Sequence, residues 1–282
     1  MSTHHLALGI ACAAGAAACF DGAVAWQALE ARRVPSDRRV LLRLARQPRW
    51  LAATAVAAVG WPLQLAALSL APLTVVQPTL AGGLIVLLVL GATVLGEPVG
   101  RVEIAAAVAI VSGVALLAWA APERETAQAG ALALTLSLGV PAAIALLPLL
   151  VRGSGRLSTL AAACAFASTG LTSKLVADAI ARGDAAAVVG WGAATGAIVL
   201  VGVNDDMSAL QRLPATRVAP AILAIEVVLP VALAPLAFGE TWGGTPGGGA
   251  AIVAGLLLVT VGVVPLASAP AVSALEPRPA SG

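Results

Sequence analysis

The chain is poor in everything that a water-soluble enzyme is built from. Only 11% of its 282 residues are charged, against roughly a quarter in soluble domains. Apolar surfaces are therefore not broken by charge every three or four residues, which excludes a large soluble helical protein. Its two histidines, His4 and His5, stand at the N-terminus, so no histidine falls within an apolar run. With no Ser-His-Asp set and no metal-ligand cluster, no enzyme is expected, and no cofactor. The cysteines, Cys12, Cys19 and Cys164, lack the spacing of a zinc site and read as small helix-packing residues. The glycine run Gly243-Gly-Thr-Pro-Gly-Gly-Gly249 has no following Gly-Lys-Ser/Thr, so it reads as a flexible turn rather than a phosphate cradle. The N-terminus lacks the basic stretch of a signal peptide, and its first apolar run is too long for one.

What the chain has is hydrophobic length. Sixty per cent of the residues are hydrophobic, gathered in runs of about 20, the length that crosses a bilayer core of about 30 Å as helix. Spans are expected near 6–28, 51–70, 73–95, 102–121, 129–151, 157–180, 187–210, 217–238 and 249–268. The fold class is thus all-α, a polytopic membrane protein of about nine spans. Arginine orients them. The 29–50 loop carries Arg32, Arg33, Arg38, Arg39, Arg43, Arg46 and Arg49. If that loop is cytoplasmic, Arg101, Arg152, Arg156, Arg212, Arg217 and Arg278 share its side, and only Arg124 and Arg182 face out. This bias predicts an outer N-terminus and a cytoplasmic C-terminus in a plasma membrane. Topology explains the basic loop more simply than nucleic-acid binding does.

The chain also repeats itself. Pro72-Leu-Thr-Val-Val-Gln-Pro78 returns as Pro214-Ala-Thr-Arg-Val-Ala-Pro220, and the two copies run on to Gly96-Glu97 and Gly239-Glu240. Two four-span units follow, residues 1–128 and 152–270, joined by a linker helix over 129–151 and followed by a tail over 271–282. The units begin five spans apart, an odd number, so they are expected to face opposite ways. Inverted repeats around a midplane site are characteristic of secondary transporters.

A charge in the bilayer costs about 2.5–3.5 kcal/mol on insertion scales, so intramembrane ionisable residues are functional candidates by default. Glu226 leads, about ten residues into its span, as a cation ligand or proton carrier. Asp205 and Asp206 lie either at a cytoplasmic mouth, if the span ends near Val203, or within the path, since the repeat sets Asp206 against Gln64. Lys174 and Asp178 share a helix face at i,i+4, and Lys174 suits a substrate carboxylate or an internal counter-ion. Asp21 occupies nearly the same place in the first unit as Lys174 in the second. Gln64 and Gln77 are softer candidates. Pro72, Pro78, Pro214 and Pro220 are candidate hinges. If the substrate is Mg2+, which keeps most of its water and takes few carboxylates, Glu226 and Asp206 are its expected ligands. One common cavity is expected to receive Glu226, Lys174 and Asp206. Gly91, Gly113, Gly196, Gly255 and Gly262 are expected to allow close helix contact.

The stretch LQLAALSLAPLTVVQPTLAGGLIVLLVLGATVLGEPVGR resembles the drug/metabolite transporter superfamily with its EamA-type repeat. The nine-span NIPA-like magnesium transporters and related actinobacterial membrane proteins look most similar. CAFASTGLTSKLVADAI and MSALQRLPATRVAPAILAIEVVLPVALAPLAFGE are similar in kind, and the resemblance covers residues 6–268. It implies a transporter of a small molecule or cation working by alternating access, with the bilayer and its substrate as partners. A homodimer is compatible with it, and nucleic acid is not a partner. The chain departs from the family pattern at Asp205-Asp206, where an amide is usual. A non-transporting scaffold or partner subunit is the competing class.

Overall fold

The computed structural model describes residues 3–31, 46–95, 99–122, 130–150, 154–210, 212–213 and 215–267. Most of the basic loop, Glu97, Arg152, Pro214 and the 271–282 tail lie outside the described residues. The described chain is all-helical, with ten α-helices: α1 (Thr3–Ala31), α2 (Pro48–Leu70), α3 (Leu73–Ala81), α4 (Gly83–Leu95), α5 (Arg101–Trp119), α6 (Ala131–Leu150), α7 (Gly155–Arg182), α8 (Ala185–Leu210), α9 (Ala215–Phe238) and α10 (Ala250–Ala267). Eight segments are long and apolar enough to cross a membrane, with α3 and α4 together making one of them. The shorter apolar helix Ala250–Pro265 is a further candidate. The protein is a multi-pass membrane protein.

Local chemistry sets the helix ends. Ser154 Oγ accepts from Leu157 N at 3.4 Å and Asp184 Oδ1 from Ala187 N at 3.0 Å, starting α7 and α8. Gly183, at φ +69°, ends α7 in the left-handed conformation that glycine adopts freely. The third span is interrupted at Gly82, whose amide turns back to Thr79 O at 3.0 Å before α4 begins at Gly83. In the second repeat α9 runs unbroken through the matching region, where Ala224 and Ile225 replace the two glycines. The candidate hinge prolines therefore differ in setting. Pro72 lies just before α3, Pro78 lies inside it, and Pro220 lies in a continuous helix.

The same packing relations recur in both halves. α1 lies along α2 and touches α3 and α4, while α7 lies along α8 and touches α9. The halves meet where α3 packs on α9 and α5 on α10, each pair being counterparts in the sequence repeat. Small residues permit the second contact. A Cβ at Gly113 would lie 2.7 Å from Gly255 O, and one at Gly255 would lie 2.7 Å from Leu117 Cγ. Gly262 is pressed likewise against Ala106 and Ile110. Gly196 does not fit this expectation, since its Cβ would meet open space. At the bundle's centre, α7 buries Ser158, Thr159, Ser168, Thr172, Ser173 and Lys174. Their hydroxyls are satisfied partly along the helix (Ser168 Oγ to Cys164 O, 2.7 Å) and partly across it, as where Thr195 Oγ1 of α8 donates to Thr172 Oγ1 at 2.9 Å.

Candidate functional site

Glu226 stands midway along α9, half-buried, within range of the charges of Asp206 on α8 and Asp21 on α1. Three carboxylates from three helices are thereby brought to one region of an apolar bundle. Among the described residues no three His, Cys, Asp or Glu side chains stand close enough to share one metal ion. The trio is thus a dispersed negative field rather than a closed coordination shell. Such a field suits protons, or a cation that keeps its water.

Asp21 ties this region to the broken span. Its carboxylate packs on Gly83 so closely that a Cβ there would overlap it. Ala14, Ala17 and Asp21 follow one another at helical spacing on one face of α1. A cavity of about 270 Å³ adjoins them, lined by Ala14, Ala17, Thr79, Gly82, Gly83 and Ile110 among others. Its walls are almost wholly apolar, so the nearby polarity comes from Thr79, the backbone at the break and the carboxylate behind Gly83.

Asp205 and Asp206 lie within α8, which continues to Leu210 rather than ending near Val203. They part company because adjacent helical residues point about 100° apart. Asp205 is completely buried, with Oδ2 lacking a hydrogen-bond partner and Oδ1 3.5 Å from Asn204 Nδ2, whereas Asp206 is half-buried. Gln64 is buried on α2. Gln77 is buried on α3 against Gly170 of α7, and its Nε2 has no partner.

Lys174 belongs to a different place. Its Nζ donates to Leu68 O at 3.0 Å, in the last turn of α2, and pairs with Asp178 at 2.7 Å. Glu240, just beyond α9, meets the start of α3. Its Oε1 accepts from Leu73 N at 2.8 Å, and its Oε2 accepts from Thr74 Oγ1. A cation thus sits on the carbonyl end of α2 and a carboxylate on the amide end of α3, each matched to the helix dipole it faces. The expected single centre is replaced by two. From Glu226 to the C-terminal end of α9 is about 18 Å at 1.5 Å per residue, which separates the carboxylate trio from Lys174 and Glu240.

In sequence Glu240 is only the end of the second repeat copy, and nothing local there points to its contacts. One signal could have found it. Pro72-Leu73-Thr74 opens a helix without a Ser, Thr, Asp or Asn cap, so its free amides need an acceptor from elsewhere. Glu240 is held above the ordinary carboxylate range, first because burial penalises its charge. The hydrogen bonds from Thr74 and Leu73 and the charge of Lys174 pull in the opposite direction.

No family model, curated protein or solved structure matches the chain.

Proposed function

We propose that this chain is a membrane transporter of the drug/metabolite transporter type, moving a small cation or proton-coupled solute by alternating access between its two repeats. The observation that carries this reading is that Glu226 on α9 lies within electrostatic range of both Asp206 on α8 and Asp21 on α1, with Asp21 packed on Gly83 at the wall of a cavity in the interrupted third span. A protein that only held partners together would have no use for three carboxylates in its apolar interior, given the cost of placing them there. Acids dominate this centre and the one lysine of the chain is engaged elsewhere, which favours a positively charged cargo over an anionic one. Glu226 is the central exchange group, with Asp206 and Asp21 tuning its field. Transport, not catalysis, is the activity assigned. The arginine bias supports a plasma-membrane protein with its N-terminus outside, which puts the trio in the cytoplasmic half and Glu240 at the outer end.

Mg2+ is the specific alternative, with Glu226 and Asp206 holding a largely hydrated ion. The test is reconstitution into liposomes, measuring Mg2+ influx and proton-driven uptake of candidate solutes for wild type and Glu226→Gln. Loss of at least about tenfold in one of these fluxes, or about 1.4 kcal/mol, is expected. Full activity in Glu226→Gln would remove Glu226 from the mechanism.

A further inference from the structure

The end of the bundle that holds the α2–α3 corner is closed twice over. An apolar cluster seals it, with Leu65, Leu68, Leu73, Leu171, Ala177 and Ala234 drawn from α2, α3, α7 and α9. Around this plug lie the two ionic contacts, and both cross between the halves. Leu68, Leu73 and Thr74 come from the first repeat, while Lys174 and Glu240 come from the second. Parting the repeats at this end would have to break all of them. Glu240 and Lys174 are almost fully buried, whereas Asp21, Asp206 and Glu226 keep partial exposure.

We propose that Glu240 is a proton-binding latch: closing this end of the bundle buries it and takes up a proton, and opening releases that proton on the same side. The inference rests on the transporter reading, to which it adds a second titrating group far from the carboxylate trio. The groups facing Glu240 are the Leu73 amide and Thr74 on α3 and the Lys174 cation on α7, whose own partner is Asp178. The direction follows from linkage. Burial holds the closed-state carboxyl above its value in water, so the closed state binds the proton more tightly, and acid favours closure while alkali favours opening. The latch hydrogen bonds do not reverse this, because their pull is smaller than the burial penalty. Protonated Glu240 keeps one acceptor oxygen for the α3 amides and no longer needs Lys174.

A cysteine reporter tests this without any substrate, so its outcome stands apart from the flux measurements. Ala177, buried in the apolar plug, is replaced by cysteine in a chain whose Cys12, Cys19 and Cys164 are alanine. The protein is held in lipid nanodiscs and treated with a membrane-impermeant maleimide. The exposed Ala185→Cys in the same background corrects for thiol ionisation. The corrected rate is expected to rise severalfold as the pH is taken from about 5 to about 8, because the closed state holds the proton more tightly. Glu240→Gln, which imitates the protonated side chain, should make the rate low and flat. A flat wild-type profile, or an unchanged slope in Glu240→Gln, overturns the proposal. If Glu240→Gln does not fold, Thr74→Val decides. Losing that hydroxyl removes one bond to the carboxylate, so the midpoint should move to higher pH, and an unmoved midpoint overturns the latch.

Discussion

Lys174→Met is the most exacting test of how the corner is held. The substitution keeps an unbranched chain of similar length but removes the cation, its 3.0 Å bond to Leu68 O and its 2.7 Å bond to Asp178. Removing one partner of a fully buried pair costs about 3–5 kcal/mol. Asp178 keeps 29% of its side-chain exposure and can recover hydration, so its share is smaller. The carbonyl of Leu68 loses a charged donor at a buried site, which costs about 1–3 kcal/mol. Glu240 also loses a neighbouring positive charge. The expected total is about 2–4 kcal/mol. Reversible unfolding in mixed micelles, followed by circular dichroism at about pH 8, measures it. Glu240→Gln and the double variant complete a thermodynamic cycle. Because the two charges attract, the double variant should cost less than the sum of the single ones, by about 1 kcal/mol. Additivity within about 0.5 kcal/mol, or a Lys174→Met as stable as wild type, would refute the idea that these charges cooperate at one corner.

Three further outcomes are expected. Gly170→Ala should destabilise by about 1–3 kcal/mol because its methyl overlaps the Gln77 amide, and adding Gln77→Ala should restore most of the loss in the same unfolding assay. Gly113→Ala forces a methyl against the α10 backbone at Gly255 O and Val259 N and should cost about 2 kcal/mol or more, whereas Gly196→Ala, facing open space, should be neutral or gain up to about 1 kcal/mol. The Glu240 carboxyl is raised in the folded state, so its contribution to stability is greatest below the ordinary carboxylate range and is lost as pH rises through the raised value. Stability profiles of wild type and Glu240→Gln should therefore converge in acid and separate in alkali, the wild type falling.

Hydropathy alone gave the order and rough limits of the helices, because length and apolar content are local properties. It failed where the third dimension decides. Apolar content falls away after Val203, yet α8 runs on to Leu210, so composition alone does not mark its end. The break at Gly82 is hidden inside a continuous apolar run, because a glycine pair leaves the hydropathy of that run unbroken. In sequence Lys174 and Glu226 resemble members of one centre, because each is an ionisable residue inside an apolar run. They lie on different spans already in the sequence, but separating their surroundings requires knowing that α7 meets the α2–α3 corner. Thr74 and Glu240 lie in opposite halves of the sequence, so nothing local joins them. Periodicity marks which residues face inward, but the partners they meet there are set by tertiary packing.

The burial of α7 bears on how the protein reaches its membrane. This helix is the least apolar of the eight candidate spans and the most enclosed by protein. It carries Lys174, whose entry into lipid alone is unfavourable by about 2.5–3.5 kcal/mol. Several of its hydroxyls bond along α7 itself, but Thr172 accepts from Thr195 on α8 and Lys174 donates to Leu68 O on α2. α2 precedes it in synthesis and α8 follows, so α7 is least stable in lipid during the interval before α8 emerges. Biogenesis of the second repeat is therefore tied to the first repeat being already in place, as a protein surface on which a polar helix can settle.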